Sequence, residues 1–341
     1  MTDLICRIEG RAGRVTLNRP GALNALTYDM ILALEAQLFA WRDDRAVELV
    51  VIDGSGERAF CAGGDIQDLY QTGRDGDFAF GQAFWADEYR LNALIAGYPK
   101  PYVAMMHGFV MGGGVGVSAL GSHRVVTDGT QVAMPECGIG LIPDVGGTLL
   151  LARAPGRLGA YLGTTGARMG PGEAILAGFA DAYVPEARMQ ELGVALSIEG
   201  IGALEEFTAP QPEAAVAAHL EEIDTAFAGT DAMAVLARLD AHAEAWAVSA
   251  AKALRRNCPL SVACALEAIG RAAAFARFEE ALALEYRFSA RCMEEGEFLE
   301  GVRAAVIDKD RAPVWATSYE ALTEGQVVGM LAPLGEMELR L

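Results

Sequence analysis

Two acids eight positions apart, Glu136 and Asp144 in "AMPECGIGLIPDVGGT", are the residues here whose type and spacing suggest chemistry. A helix would set them about 12 Å apart along its axis and roughly 80° around it. A strand would put them on one face but about 26 Å apart. Neither element makes a working pair. A chain reversal would, and Gly138, Gly140 and Pro143 permit one. Either the acids are separate surface charges, or they face one pocket from two sides of a loop.

Two glycine-rich turns are the next candidates. "HGFVMGGGVGVSALG" follows the apolar run "PYVAMM", and its triple glycine (Gly112, Gly113, Gly114) leaves backbone N–H groups uncovered at a strand-to-helix junction. It is not a P-loop, because no Gly-Lys-Ser/Thr follows. "RAFCAGGDI" is a second turn of this kind, baring Ala62, Gly63 and Gly64, with Asp65 expected as a helix N-cap. Each alone reads as a packed βα turn. Together they offer the two N–H groups that a carbonyl oxyanion needs. Cys61 lacks the histidine context of a nucleophile and reads as a packed thiol. Glu88, in "AFWADEYRLN", reads from pattern alone as a solvated helix charge. The four histidines show neither HxxxH nor HExxH spacing, so no metal site is expected.

The elements that must position these residues follow from periodicity. "LICRIEG" and "RVTLN" predict a hairpin, and "ELVVIDGSG", "PYVAMMHGF" and "HRVVTDGTQVAM" predict further strands. Thr27 is expected to cap the helix "YDMILALEAQLFAWRDD", and "FGQAFWADEYRLNALIAG" predicts another helix. Strands alternating with helices imply an α/β fold with a largely parallel sheet. After residue 203 alanine, leucine and glutamate take over, so the expected division is a core at 1–203 and a helical region at 204–341, with a loop at "APQPE".

The chain of 341 residues is 52% hydrophobic and 21% charged, with a net charge of −19. That acidity argues against nucleic-acid partners and anionic membranes. The six cysteines form no CxxC pair and read as reduced. With no signal-like N-terminal pattern and no 18-residue apolar run, the expectation is a cytoplasmic protein.

In order and spacing, "LNRPGALNALT", "AFCAGGDI", "HGFVMGGGVG" and "MPECGIGLIPDVGGT" resemble the crotonase (enoyl-CoA hydratase/isomerase) superfamily. With the C-terminal "EYRFSARCMEEGEFLEGVRAAVIDKDRAPVW", the chain is most similar to its hydrolase branch, the 3-hydroxyisobutyryl-CoA hydrolases. The resemblance implies a crotonase-like spiral of ββα units with a helical C-terminal region. It implies hydrolysis of an acyl-CoA thioester in valine breakdown, without metal or redox cofactor, CoA being part of the substrate. It maps the oxyanion hole onto the N–H groups of Ala62 and Gly113, the catalytic acid onto Glu136, a second carboxylate onto Asp144 and a substrate-contacting glutamate onto Glu88. Hydratases carry a further glutamate where Gly116 stands, and glycine where Asp144 stands, which separates the branches. An enoyl-CoA hydratase or isomerase of the same fold, the isomerase working with one carboxylate, and a non-catalytic acyl-CoA-binding protein are the other readings. The C-terminal helices have two roles open to them: contact in a homo-oligomer, or cover for the chain's own core.

Overall fold

The computed structural model describes residues 2–341, which divide into two compact units, each drawn from three stretches of chain. The first comprises 2–64, 90–133 and 168–217; the second comprises 65–89, 134–167 and 218–341. The division expected at residue 203 is therefore not where the compact units part. Composition marks where strands stop, since no named strand follows Tyr183 among the described residues. Packing, however, interleaves the stretches.

All nine strands belong to the first unit. β1 (Leu4–Glu9) and β2 (Ala12–Leu17) form the expected hairpin, antiparallel with Leu4 opposite Leu17 and Glu9 opposite Ala12. β3 (Leu49–Gly54), β4 (Ala59–Cys61), β5 (Tyr102–Met106), β6 (Phe109–Met111), β7 (His123–Val126), β8 (Gln131–Ala133) and β9 (Ala182–Tyr183) complete the set. The larger sheet has the order β1-β2-β3-β5-β7-β9, parallel beyond the hairpin. The smaller has the order β4-β6-β8, also parallel. Successive pairs, β3 with β4, β5 with β6 and β7 with β8, give one strand to each sheet before the chain turns helical. This is the ββα repeat of the crotonase fold.

Alternation along the strands explains the core. Leu49 and Val51, Val103 and Met105, and Val125 share one face of the larger sheet, and bury it against Leu192 and Leu196 of helix Met189–Glu199. Thr27 caps helix Tyr28–Arg42 as expected, accepting from the Met30 N–H at 3.2 Å. Asp65 falls one residue short of its expected place: Ile66 is the N-cap of helix Gln67–Arg74, and Asp65 accepts a long 3.4 Å bond from Gln67 N.

The second unit is helical. Helix Pro259–Ala272, started by a proline that needs no partner for its nitrogen, is buried over most of its length. Helices Gly147–Arg153, Leu158–Thr165, Phe278–Ser289 and Glu324–Met330 pack around it. No helix among the described residues is long and apolar enough to cross a membrane.

Candidate active site

The chain reversal required by Glu136 and Asp144 is present. Glu136 opens a short 3-10 turn, Glu136–Ile139, that ends at Gly140 with φ +75°, and Leu141 N returns to the Glu136 carbonyl at 3.1 Å. A side chain at Gly140 would put its Cβ 2.5 Å from the Glu297 carbonyl, so only glycine fits. Asp144 then begins a second reversal, in which Gly147 N donates to the Asp144 carbonyl at 2.7 Å. Its two central residues, Val145 and Gly146, have φ +53° and +82°, the pattern of a type I′ turn. Glycine suits that conformation; a β-branched valine does not, and the left-handed region costs such a residue about 1–2 kcal/mol. Val145 is wholly buried, so its surroundings hold it there.

Four buried carboxylates gather in this unit: Glu88, Glu136, Asp144 and Glu285. Burial pushes Asp144 up to about 7, against the hydrogen bond from Tyr89 that favours its charge. Glu285 also reaches about 7, for the same first reason. Glu88 and Glu136 stand well above the usual carboxylate range, through burial first and then the charge of Asp144. Glu285 and Glu88 add to the push on Glu136. Four such charges cannot coexist so close together in a dry interior, so part of the cluster keeps its protons near neutral pH.

The partners of the four acids differ. Tyr89 Oη donates to Asp144 Oδ2 at 2.7 Å and reaches Ser289 Oγ at 3.3 Å. Glu285 accepts from Gly146 N at 2.8 Å and from Thr148 N at 2.9 Å. In contrast, Glu88 Oε1 and Glu136 Oε2 are buried with no hydrogen-bond partner among the described residues. Buried polar atoms left unpaired in a native fold ask for a missing partner, and a ligand is one such partner. Glu88 is thus no solvated helix charge.

The two glycine turns lie together in the first unit. β4 and β6 run parallel and adjacent, so the turns that follow them leave at the same end. A Cβ on Gly63, whose φ is +115°, would lie 3.4 Å from the Met111 carbonyl and 4.0 Å from Gly113 N. A Cβ on Gly114 would sit 2.4 Å from the Cys61 carbonyl. One expected donor must be corrected. Ala62 N–H is already given to the Leu23 carbonyl at 3.0 Å, so it is not free for an oxyanion. Among the described residues, neither Gly64 N nor Gly113 N finds an acceptor. Cys61 is buried and directs its thiol to the Gly63 carbonyl at 3.5 Å. Gly116 sits in the short helix Gly113–Gly116 and supplies no side chain.

Sequence reading missed Tyr89, Glu285 and Ser289. Tyr89 adjoins Glu88 in an aromatic-rich helix; Glu285 and Ser289 meet their partners only across 137 to 200 residues of chain. It also missed a surface group, His219, Glu222 and Glu244, whose ligand atoms lie within 4.8 Å of one another. Glu244 already accepts from Trp246 Nε1 at 2.7 Å.

A ββα spiral, paired amide turns and a buried carboxylate cluster define an acyl-CoA enzyme of the crotonase kind, and the chain belongs to the enoyl-CoA hydratase/isomerase family, whose sequence model matches residues 12–331. Among curated proteins it is similar to the mitochondrial 3-hydroxyisobutyryl-CoA hydrolase of Danio rerio, at 38% identity over 97% of this chain and 90% of that one. Among solved structures it is similar to an enoyl-CoA hydratase from Rhodobacter sphaeroides 2.4.1, 51% identical with a TM-score of 0.95 over the whole of both chains. It is also similar to a carnitinyl-CoA dehydratase from Mycobacterium thermoresistibile, 42% identical, TM-score 0.95, covering 99% and 98% of the two chains. The curated relative is a mitochondrial protein, which overturns the cytoplasmic expectation.

Proposed function

We propose that this chain hydrolyses 3-hydroxyisobutyryl-CoA to 3-hydroxyisobutyrate and CoA, a step of valine breakdown. The observation that carries the reading is the buried cluster that pairs Glu136 with Asp144 and leaves Glu136 Oε2 and Glu88 Oε1 unpartnered. The name of the Danio rerio relative supports it.

Hydrolysis of a thioester needs a polarised carbonyl, a route for a proton off water and a proton for the departing sulfur. Gly64 N–H and Gly113 N–H are the donors for the carbonyl oxygen in this reading, with Gly64 taking the part first assigned to Ala62. Each such donor contributes about 3 kcal/mol to the transition state. The Glu136–Asp144 pair shares a proton: as water forms the new C–O bond it gives a proton to the pair at Glu136, and as the C–S bond breaks the thiolate takes one from the pair at Asp144. Glu88 meets the 3-hydroxyl. No metal or redox group enters this balance. A cavity of about 450 Å³ in the first unit, bordered by Leu23, Asn24 and Arg58, is suited to the nucleotide end of CoA. The Arg58 side chain has no ion pair among the described residues and supplies a local cation in a chain of net charge −19.

The likeness to the Rhodobacter sphaeroides enoyl-CoA hydratase favours a second reading, hydration of an enoyl-CoA. Against it stands Gly116, where the hydratase branch has a glutamate. Incubation with 3-hydroxyisobutyryl-CoA, 3-hydroxypropionyl-CoA and crotonyl-CoA separates the two readings. Free thiol release from the hydroxyacyl esters is expected. Loss of the enoyl absorbance of crotonyl-CoA faster than any thiol release would reject the hydrolase.

A further inference from the structure

The reversal after Asp144 breaks a local rule. Position two of a type I′ turn asks for Asn, Asp or Gly, and here it is Val145. Residues that flout local preference at a functional site are held by tertiary contacts. The side-chain hydrogen bonds to the backbone of this loop come from one residue. Glu285 takes Gly146 N with one carboxylate oxygen, and Thr148 N and Thr148 Oγ1 with the other. Thr148 Oγ1 approaches to 2.5 Å. Both oxygens of a fully buried acid are thus spent on the loop that follows Asp144, and the proposed reaction has no other use for them.

The same helix reaches Asp144 by a second route. Ser289 stands one turn beyond Glu285 on helix Phe278–Ser289, hence on the same face. Its Oγ lies 3.3 Å from Tyr89 Oη, whose proton goes to Asp144. One helix face therefore fixes the backbone after Asp144 and steadies the phenol that bonds its carboxylate.

We propose that Glu285 is a positioning residue: by clamping Gly146 and Thr148 it keeps Val145 left-handed and so sets the direction of the Asp144 carboxylate. The proposal rests on the reading of Asp144 as the acid of thioester hydrolysis, and extends it to a residue that touches no substrate.

Glu285→Gln keeps the volume but places an amide donor where the loop offers donors. On 3-hydroxyisobutyryl-CoA it should lower kcat at least tenfold, roughly the factor set by strain in the left-handed region, with little change in KM. The decisive comparison is the same substitution in a Val145→Gly background. Glycine holds φ near +53° without the clamp, so the loss should shrink by about tenfold there. Equal losses in both backgrounds would overturn the proposal. Amide hydrogen exchange gives a readout independent of turnover: Gly146 and Thr148 should exchange faster in Glu285→Gln, and unchanged exchange also overturns the clamp. If the unsubstituted chain releases no thiol, the hydrolase reading fails while the exchange comparison still decides the clamp. Should Glu285→Gln not fold, Thr148→Val removes one donor and leaves the carboxylate in place. It should lower kcat in the same direction by a smaller factor, and full kcat in that variant would count against the proposal.

Discussion

Tyr89 and Asp144 are 55 residues apart in sequence, and the phenol of the first donates to Oδ2 of the second at 2.7 Å, both fully enclosed. The phenol itself is pushed well above its ordinary range by burial first and by the nearby carboxylates Asp144 and Glu285, so it stays a donor at any working pH. An acid raised to about 7 by desolvation would stand higher still without this bond.

Tyr89→Phe removes the bond and leaves the ring. A hydrogen bond to an ionised acceptor favours the charged form, so the inflection that Asp144 places near pH 7 should move to higher pH by about one unit. Profiles of kcat/KM against pH for the two proteins check it. An inflection that stays put would mean that another group titrates there.

The raised acids also couple stability to pH. Asp144 has a folded-state pKa near 7 against an ordinary 3.8, so the folded state holds its proton longer than the unfolded chain does. The stabilisation is full below the ordinary value and is lost as pH rises through the folded one. Asp144→Asn removes this dependence. The variant should melt higher than the parent at pH 8, by an amount worth on the order of 2 kcal/mol, and the gap should close towards pH 4. Thermal melts at the two pH values test this, and a gap that widens on acidification would reverse the sign argued here.

Glu136→Gln should abolish most turnover and leave acyl-CoA binding nearly intact, because the nucleotide end makes contacts the acid does not. Asp144→Asn should also impair turnover severely. Acids that act as a unit do not lose their contributions additively, so the double substitution should be little worse than the poorer single one. Single turnover in oxygen-18 water adds the route: direct attack through a mixed anhydride can put label into the Glu136 side chain, whereas activated water sends it only to the product acid.

Glu88 offers a buried oxygen with no partner among the described residues. A site built to bond a hydroxyl discriminates by a large factor against analogues that lack it. Glu88→Ala should therefore cut kcat/KM for 3-hydroxyisobutyryl-CoA far more than for isobutyryl-CoA. Equal losses would leave Glu88 without a role in recognition.

What could be read from sequence was what local chain rules govern. The β1–β2 hairpin, the Thr27 cap and the reversal between Glu136 and Asp144 each depend on residues within a few positions, and each is present. Asp65 missed its place because cap choice depends on where the preceding turn releases the chain. Ala62 was misassigned because the acceptor that claims its N–H, the Leu23 carbonyl, lies in a loop 39 residues earlier. Glu285 gave no local sign, since an acid in an amphipathic helix looks solvated until its distant partners are known. The change of composition at residue 204 is real but does not report packing: 65–89 and 134–167 join the helical unit although strands surround them in sequence.

That interleaving has a consequence for how the protein is made. The ribosome releases all nine strands by residue 183, and Glu88, Glu136 and Asp144 with them. Glu285 and Ser289 follow about a hundred residues later. Until then the turn at Val145 has no clamp, and three acids await the helix that closes around them. A nascent chain can therefore complete its sheets early, yet the loop after Asp144 gains its clamp only when a segment far downstream folds back onto it.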